Sequence, residues 1–156
     1  MQCVAIQVGA VFGAVALIAD REVKMAVTWK YKIDISDIGV FDTIAHERNI
    51  SFPKELKEFI LETNAATPSK YNFMVGNNER VFGAVLSFNP EEKDVDSVFT
   101  ALSIIKDKDL IPFGIDPFGN YICYSLKENI IVFWDHETGQ VFSTGFSLAG
   151  FIESLY

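Results

Sequence analysis

Cysteine is nearly missing from this chain of 156 residues. Cys3 and Cys123 are far apart and in no CxxC pair, so neither a disulfide framework nor a zinc site is indicated. Histidine is as scarce, with only His46 and His136. No GxGxxG, GxxxxGK or GxSxG sequence occurs, which removes the common nucleotide-binding and hydrolase fingerprints. Positive charge is also short, with 13 Lys and Arg against 21 Asp and Glu, a net charge of −8. Such a surface repels phosphate backbones and steers a basic protein partner towards itself, so direct nucleic-acid binding is not expected. Acidity also serves plain solubility, and charge alone does not separate the two roles.

A catalytic centre needs a nucleophile beside a base, paired carboxylates, or metal ligands at usable spacing. The nearest candidate is Asp135-His136-Glu137. Neighbours on an extended strand point to opposite faces, so these three converge on one metal only through a tight turn, and a polar turn is the simpler reading. His46 falls on the outer side of a helix. The expectation is a protein that is no enzyme and carries no metal and no cofactor.

What the chain has in quantity is apolar surface: 49% of residues are hydrophobic and 14 are phenylalanine. A chain of this length folds as one domain without staples. One long apolar run, Cys3 to Ala19, stands apart from the rest. Residues 1–24 are read as a leader with three open origins: an over-long start with Met25 as the natural one, a membrane anchor or signal, or a core element. The domain proper is then 25–156 and cytoplasmic, membrane contact arising only if 3–19 is a real anchor.

The centre of the chain is Leu110 to Trp134. Three β-branched and aromatic runs, Leu110–Ile115, Tyr121–Leu126 and Ile130–Trp134, are separated by turn residues, which predicts an antiparallel meander. Pro117, Gly119 and Asn120 suit a hairpin corner. Both faces of these strands carry apolar groups, so helices must cover each face. Upstream, Thr28 to Ile35, with Trp29, Tyr31, Ile33 and Ile35 alternating, reads as a short strand or an extended lead-in. A helix is predicted from Ser36-Asp37 to about Arg48, and a second is capped by Ser51 with Pro53 in its first turn and ends near Asn64.

Tyr71–Val75 and Val81–Phe88 read as strands around the turn Gly76-Asn77-Asn78-Glu79. Glu91-Glu92-Lys93-Asp94 is a solvated acidic loop before a helix over about Asp96–Ile105. A short strand, Gln140–Ser143, and a final helix capped by Ser147 close the chain. With no repeated strand-helix-strand unit the class is α+β, a mixed and mostly antiparallel sheet flanked by helices.

Leu110-Ile111-Pro112-Phe113-Gly114 with Asp116, Gly119-Asn120 and Ile122-Cys123, then Val132-Phe133-Trp134-Asp135-His136-Glu137, then Phe146-Ser147 with Phe151-Ile152 and Leu155, form an ordered set. Ile44-Ala45-His46-Glu47 and Phe52 to Ile60 precede them, and Asn64-Ala65-Ala66 stands where the pattern carries asparagine and two glycines. From Ile44 to Tyr156 the chain resembles the SUKH superfamily in its Smi/Knr branch, which includes bacterial immunity proteins and a fungal regulator of cell-wall synthesis.

The resemblance implies neutralisation of a toxin delivered by a neighbouring cell or made by the producer. The alternative is an intracellular scaffold or regulator with no toxin partner. A toxin that attacks nucleic acid needs a basic surface, so an acidic inhibitor can mimic phosphates and associate fast. The expected contacts are Glu91, Glu92, Asp94 and Asp96, with Asp116, Asp135 and Glu137 at strand ends. Trp134 reads as packed core or as an interface anchor. Glu47, Asp116 and Asn120 read as a helix end and hairpin corner, or as the lining of a recess that meets the partner.

Overall fold

The computed structural model describes residues 26–156, so the apolar leader and the choice of Met25 as start lie outside the described residues. Four helices are described: α1 Val40–Arg48, α2 Lys54–Thr63, α3 Val98–Ile104 and α4 Leu148–Ser154. Nine strands accompany them: β1 Trp29–Lys30, β2 Thr67–Pro68, β3 Asn72–Val75, β4 Asn78–Val81, β5 Ala84–Val85, β6 Leu110–Ile115, β7 Tyr121–Ser125, β8 Ile130–Trp134 and β9 Val141–Ser143. β1 pairs with β2, β3 with β4, and β5 to β9 form a five-stranded sheet in sequence order. All these pairings are antiparallel, and one isolated parallel bridge joins Ser87 to Ser97. The α+β class is as expected.

The meander forms because its three runs offer apolar groups to both sides. Tyr121 to Ser125 are all buried. On one face Ile122, Tyr124 and Phe133 meet a cluster of rings in which Phe73 packs edge-on to Phe151 at 5.0 Å and Phe59 edge-on to Phe113 at 6.0 Å. Pro112 would be out of place in a regular central strand, since it cannot donate to a ladder. The register shifts between Pro112 and Gly114, and this bulge turns Phe113 fully into the core. Gly114 is there for space: a Cβ would lie 2.9 Å from Phe82 Cζ and 3.3 Å from Ile122.

The ends of the helices follow local chemistry, with two corrections. α1 starts at Val40 rather than at Ser36-Asp37, because Asp37 Oδ1 accepts the Gly39 N–H at 2.9 Å and holds a turn ahead of the helix. Ser51 does not cap α2. Pro53 stands directly before Lys54 with its φ at −62° and makes no side-chain cap, leaving Ser51 two positions outside. Ser97 and Ser147 do cap their helices, accepting from Phe99 N–H at 3.0 Å and Gly150 N–H at 3.2 Å.

The expected strand over Val81–Phe88 is broken in two. Gly83 is the corner between two sheets: its N–H donates to Ile115 O at 2.9 Å, and a Cβ there would sit 2.9 Å from that same oxygen. The hairpin before it turns through Gly76-Asn77 alone, with Val75 opposite Asn78 and Gly76 at φ +59°. After α2, buried Asn64 ties three segments together. Its Oδ1 accepts Phe88 N–H at 2.8 Å and its Nδ2 donates to Ile33 O at 3.0 Å. Ala65 follows with φ +63°, the left-handed region that glycine adopts without cost.

Candidate partner-binding face

The corner between β6 and β7 runs from Asp116 to Asn120. Pro117 presets one turn dihedral and Gly119 supplies φ +88°. The Asp116 carboxylate turns inward and is 5% exposed. Its Oδ1 accepts the N–H groups of Phe118 and Asn120, each at 2.8 Å, and its Oδ2 accepts Asn120 Nδ2 at 2.8 Å. Asn120 Oδ1 in turn accepts the backbone N–H of His136 at 3.0 Å and lies 2.7 Å from its Nδ1. Two acceptors that close would repel, so His136 carries a proton on Nδ1. The Asp, Gly-Asn and Asp-His-Glu pieces that stand apart in sequence are therefore one hydrogen-bonded clip between two adjacent turns.

This changes the role of Asp116. With both carboxylate oxygens engaged and little surface open, it shapes the corner and offers no free charge to a partner. Asn120 shares that role. Glu47 is exposed on α1, and among the described residues no hydrogen bond ties it to the corner.

Directly after the clip, Tyr121 lies opposite Trp134 in the β7–β8 register, and their rings stack at 5.8 Å and 38°. The alternation of strands puts this pair on the same face as Ile115 and Val141. Trp134 is half-buried, packed against the core with part of its ring open. Burial raises the Tyr121 hydroxyl pKa, and the nearby Asp96 carboxylate raises it further. Asp96 itself ends the acidic loop beside Ser87. It is held there by the parallel bridge, in which Ser87 N–H donates to Asp96 O at 2.8 Å and Val98 N–H to Ser87 O at 2.9 Å.

Asp135 and Glu137 open the turn after Trp134. Asp135 Oδ1 accepts Glu137 N–H at 2.8 Å, and Asp135 O accepts Gly139 N–H at 2.7 Å. Glu137 projects into solvent and Asp135 is half-buried. Phe118, 73% exposed, stands at the tip of the adjoining corner. Of the loop carboxylates, Glu91 and Asp94 are exposed and Glu92 is half-buried, and none has a hydrogen bond to the sheet. Trp134, Asp135 and Glu137 thus stand at one end of the meander, and Asp96 stands beside Ser87 at the end of the loop that carries Glu91, Glu92 and Asp94.

Sequence reasoning missed Tyr121 as the ring under Trp134, although counting back from the Ser125–Ile130 pair gives it. It also missed Arg48, whose Nη2 donates to Asp107 O at 2.7 Å and Ile105 O at 3.3 Å, joining α1 to the segment after α3. No local signal announces that contact. Cys123 is fully buried, and burial pushes its thiol pKa far up, so it is a core residue. Among the described residues no group of three His, Cys, Asp or Glu side chains is placed to hold a metal. No helix among them is long and apolar enough to cross a membrane.

A comparison with family models matches residues 39–154 to the one described as SMI1 / KNR4 family (SUKH-1). No curated protein matches the chain.

Proposed function

The chain belongs to the SMI1/KNR4 family (SUKH-1), and on that premise we propose that it is an immunity protein that binds a cognate bacterial toxin and blocks its active site or substrate channel. Domains of this family are in general non-enzymatic immunity or regulatory proteins, often with toxin partners. The observation that carries the reading is the end of the meander, where the Tyr121–Trp134 pair is followed directly by Asp135 and Glu137 on a chain of net charge −8.

A half-open tryptophan on a rigid strand loses little entropy on contact and serves as an anchor. The carboxylates around it, joined by Glu91, Glu92 and Asp94 from the loop, steer a basic surface towards it. A nuclease or other nucleic-acid-directed toxin has such a surface. The domain doing this runs from 25 to 156 and works in the cytoplasm, without catalysis of its own.

The test is co-expression of the chain with the product of a toxin gene beside its own, scored for cell survival and co-purification. Measured on the purified pair, the association rate should fall about tenfold or more between low and physiological ionic strength. The Asp96→Asn, Asp135→Asn, Glu137→Gln triple variant should show a lower rate and a shallower salt slope. Trp134→Ala should act on dissociation instead, at about 2 kcal/mol. An association rate insensitive to salt would refute the charge mechanism. A neighbouring toxin that neither binds nor is neutralised would return the chain to the regulatory branch of its family.

A further inference from the structure

A second surface, built from other residues, lies at the open edge of the five-stranded sheet. β9 is its last strand, and Val141, Phe142 and Ser143 are all exposed. Asp135 N–H donates to Gln140 O and Thr144 N–H to Ile131 O, so the backbone groups of Gln140, Phe142 and Thr144 face β8. Those of Val141 and Ser143 point away from the sheet. The strand has no lysine, proline or bulge, the usual devices that stop an edge from pairing.

The β3–β4 hairpin forms a wall beside this edge. Between them is an open cleft of about 420 Å³, lined by Val75, Asn77, Asn78 and Arg80 on one side and by β9 on the other. Arg80 is the one charged residue in that lining. Its guanidinium lies 4.7 Å from the Phe133 ring centre, its Nε is buried without a hydrogen-bond partner, and it makes no ion pair among the described residues. A guanidinium seated over a ring, with no ion pair of its own, can receive a carboxylate.

We propose that this cleft takes an extended segment of another protein, which adds to β9 as a sixth strand and places a Glu or Asp side chain on Arg80. Strand addition satisfies the outward N–H and C=O groups of Val141 and Ser143, and alternate side chains of the guest fall towards Phe142 and Arg80 or towards Val141. Charge within the cleft selects an acidic side chain, since Arg80 is the only charged residue of its lining. A second copy pairing through its own β9 would bring only Val141, Phe142 and Ser143 and no carboxylate to Arg80. Nothing in this proposal depends on the toxin reading, which rests on the Trp134 end.

The probe is the blocked peptide Ac-Thr-Val-Glu-Val-Thr-NH₂, titrated into the ¹⁵N-labelled full chain. Saturable shifts should appear at the amides of Val141–Ser143 and Gly76–Arg80. The Glu→Lys peptide should bind about tenfold more weakly, and the peptide N-methylated at both valines should not bind. Arg80→Gln should bring the same loss as the lysine peptide, and Arg80→Lys a smaller one. The two altered peptides carry the test on the unaltered protein if the Arg80 variants fold poorly. Absence of saturable shifts, equal binding of the Glu and Lys peptides, or shifts of these amides that grow with protein concentration alone would overturn it. The last result would assign the edge to a second copy.

Discussion

Replacing Asp116 by alanine tests whether the clip at the end of the meander is structural. The change removes the acceptor for three donors: Phe118 N–H, Asn120 N–H and Asn120 Nδ2, all at 2.8 Å. Bonds to a charged acceptor contribute about 1.5–3 kcal/mol each, less where water can replace the acceptor. The Phe118 amide sits at the open end of the corner and can rehydrate. The two Asn120 bonds are buried, and Asn120 then loses its alignment towards His136.

A loss of about 3–4 kcal/mol is expected, a large part of the 5–15 kcal/mol typical of a domain. Asp116→Asn keeps the shape and one acceptor oxygen and should lose about half as much. In urea unfolding with a slope of about 1.5–2 kcal/mol per molar, alanine moves the midpoint down by about 2 M. The carboxylate, only 5% exposed, gives a partner no direct contact, so Asp116→Asn, which keeps the corner's shape, should leave the affinity of the folded fraction unchanged. A midpoint shift under about 0.3 M, or a binding loss without a stability loss, would refute the reasoning.

Two further perturbations probe the core and the loop after α2. The Tyr124 hydroxyl is pushed up to about 12 by burial and by its hydrogen bond to the Glu55 carboxylate. A folded-state pKa above the unfolded value of about 10 gives stability that is complete below pH 10 and is lost as pH rises from 10 to 12. Tyr124→Phe should flatten that alkaline decline and cost about 0.5–1.5 kcal/mol at neutral pH, measured by urea unfolding at stepped pH. An unchanged alkaline slope in the variant would count against the assignment. Ala65→Gly removes a Cβ from a left-handed residue and should raise stability by about 0.5–1 kcal/mol net of the added chain entropy; a loss of stability would show that Ala65 is relaxed there.

The sequence alone determined those parts that depend on neighbours along the chain. The three strands of the meander lie where β-branched and aromatic runs end in turn residues, because pleat and turn chemistry act over a few residues. Ser97 and Ser147 cap α3 and α4 for the same reason. The ordered motif from Ile44 to the closing helix was enough for the family, and the structure adds why its polar letters are there. Asp116, Asn120 and His136 bond to one another.

Only the tertiary structure decided what depends on residues far apart in the chain. It split Val81–Phe88 at Gly83, because the Ile115 carbonyl leaves no room for a side chain there. It turned Asp116 inward, set Trp134 against Tyr121 across two strands, and laid Arg80 over Phe133 beside an open strand edge. Local pattern records which residues are polar or apolar and with what period. Which carboxylate faces water and which cation lacks a partner is set by what the other strands and helices place around it.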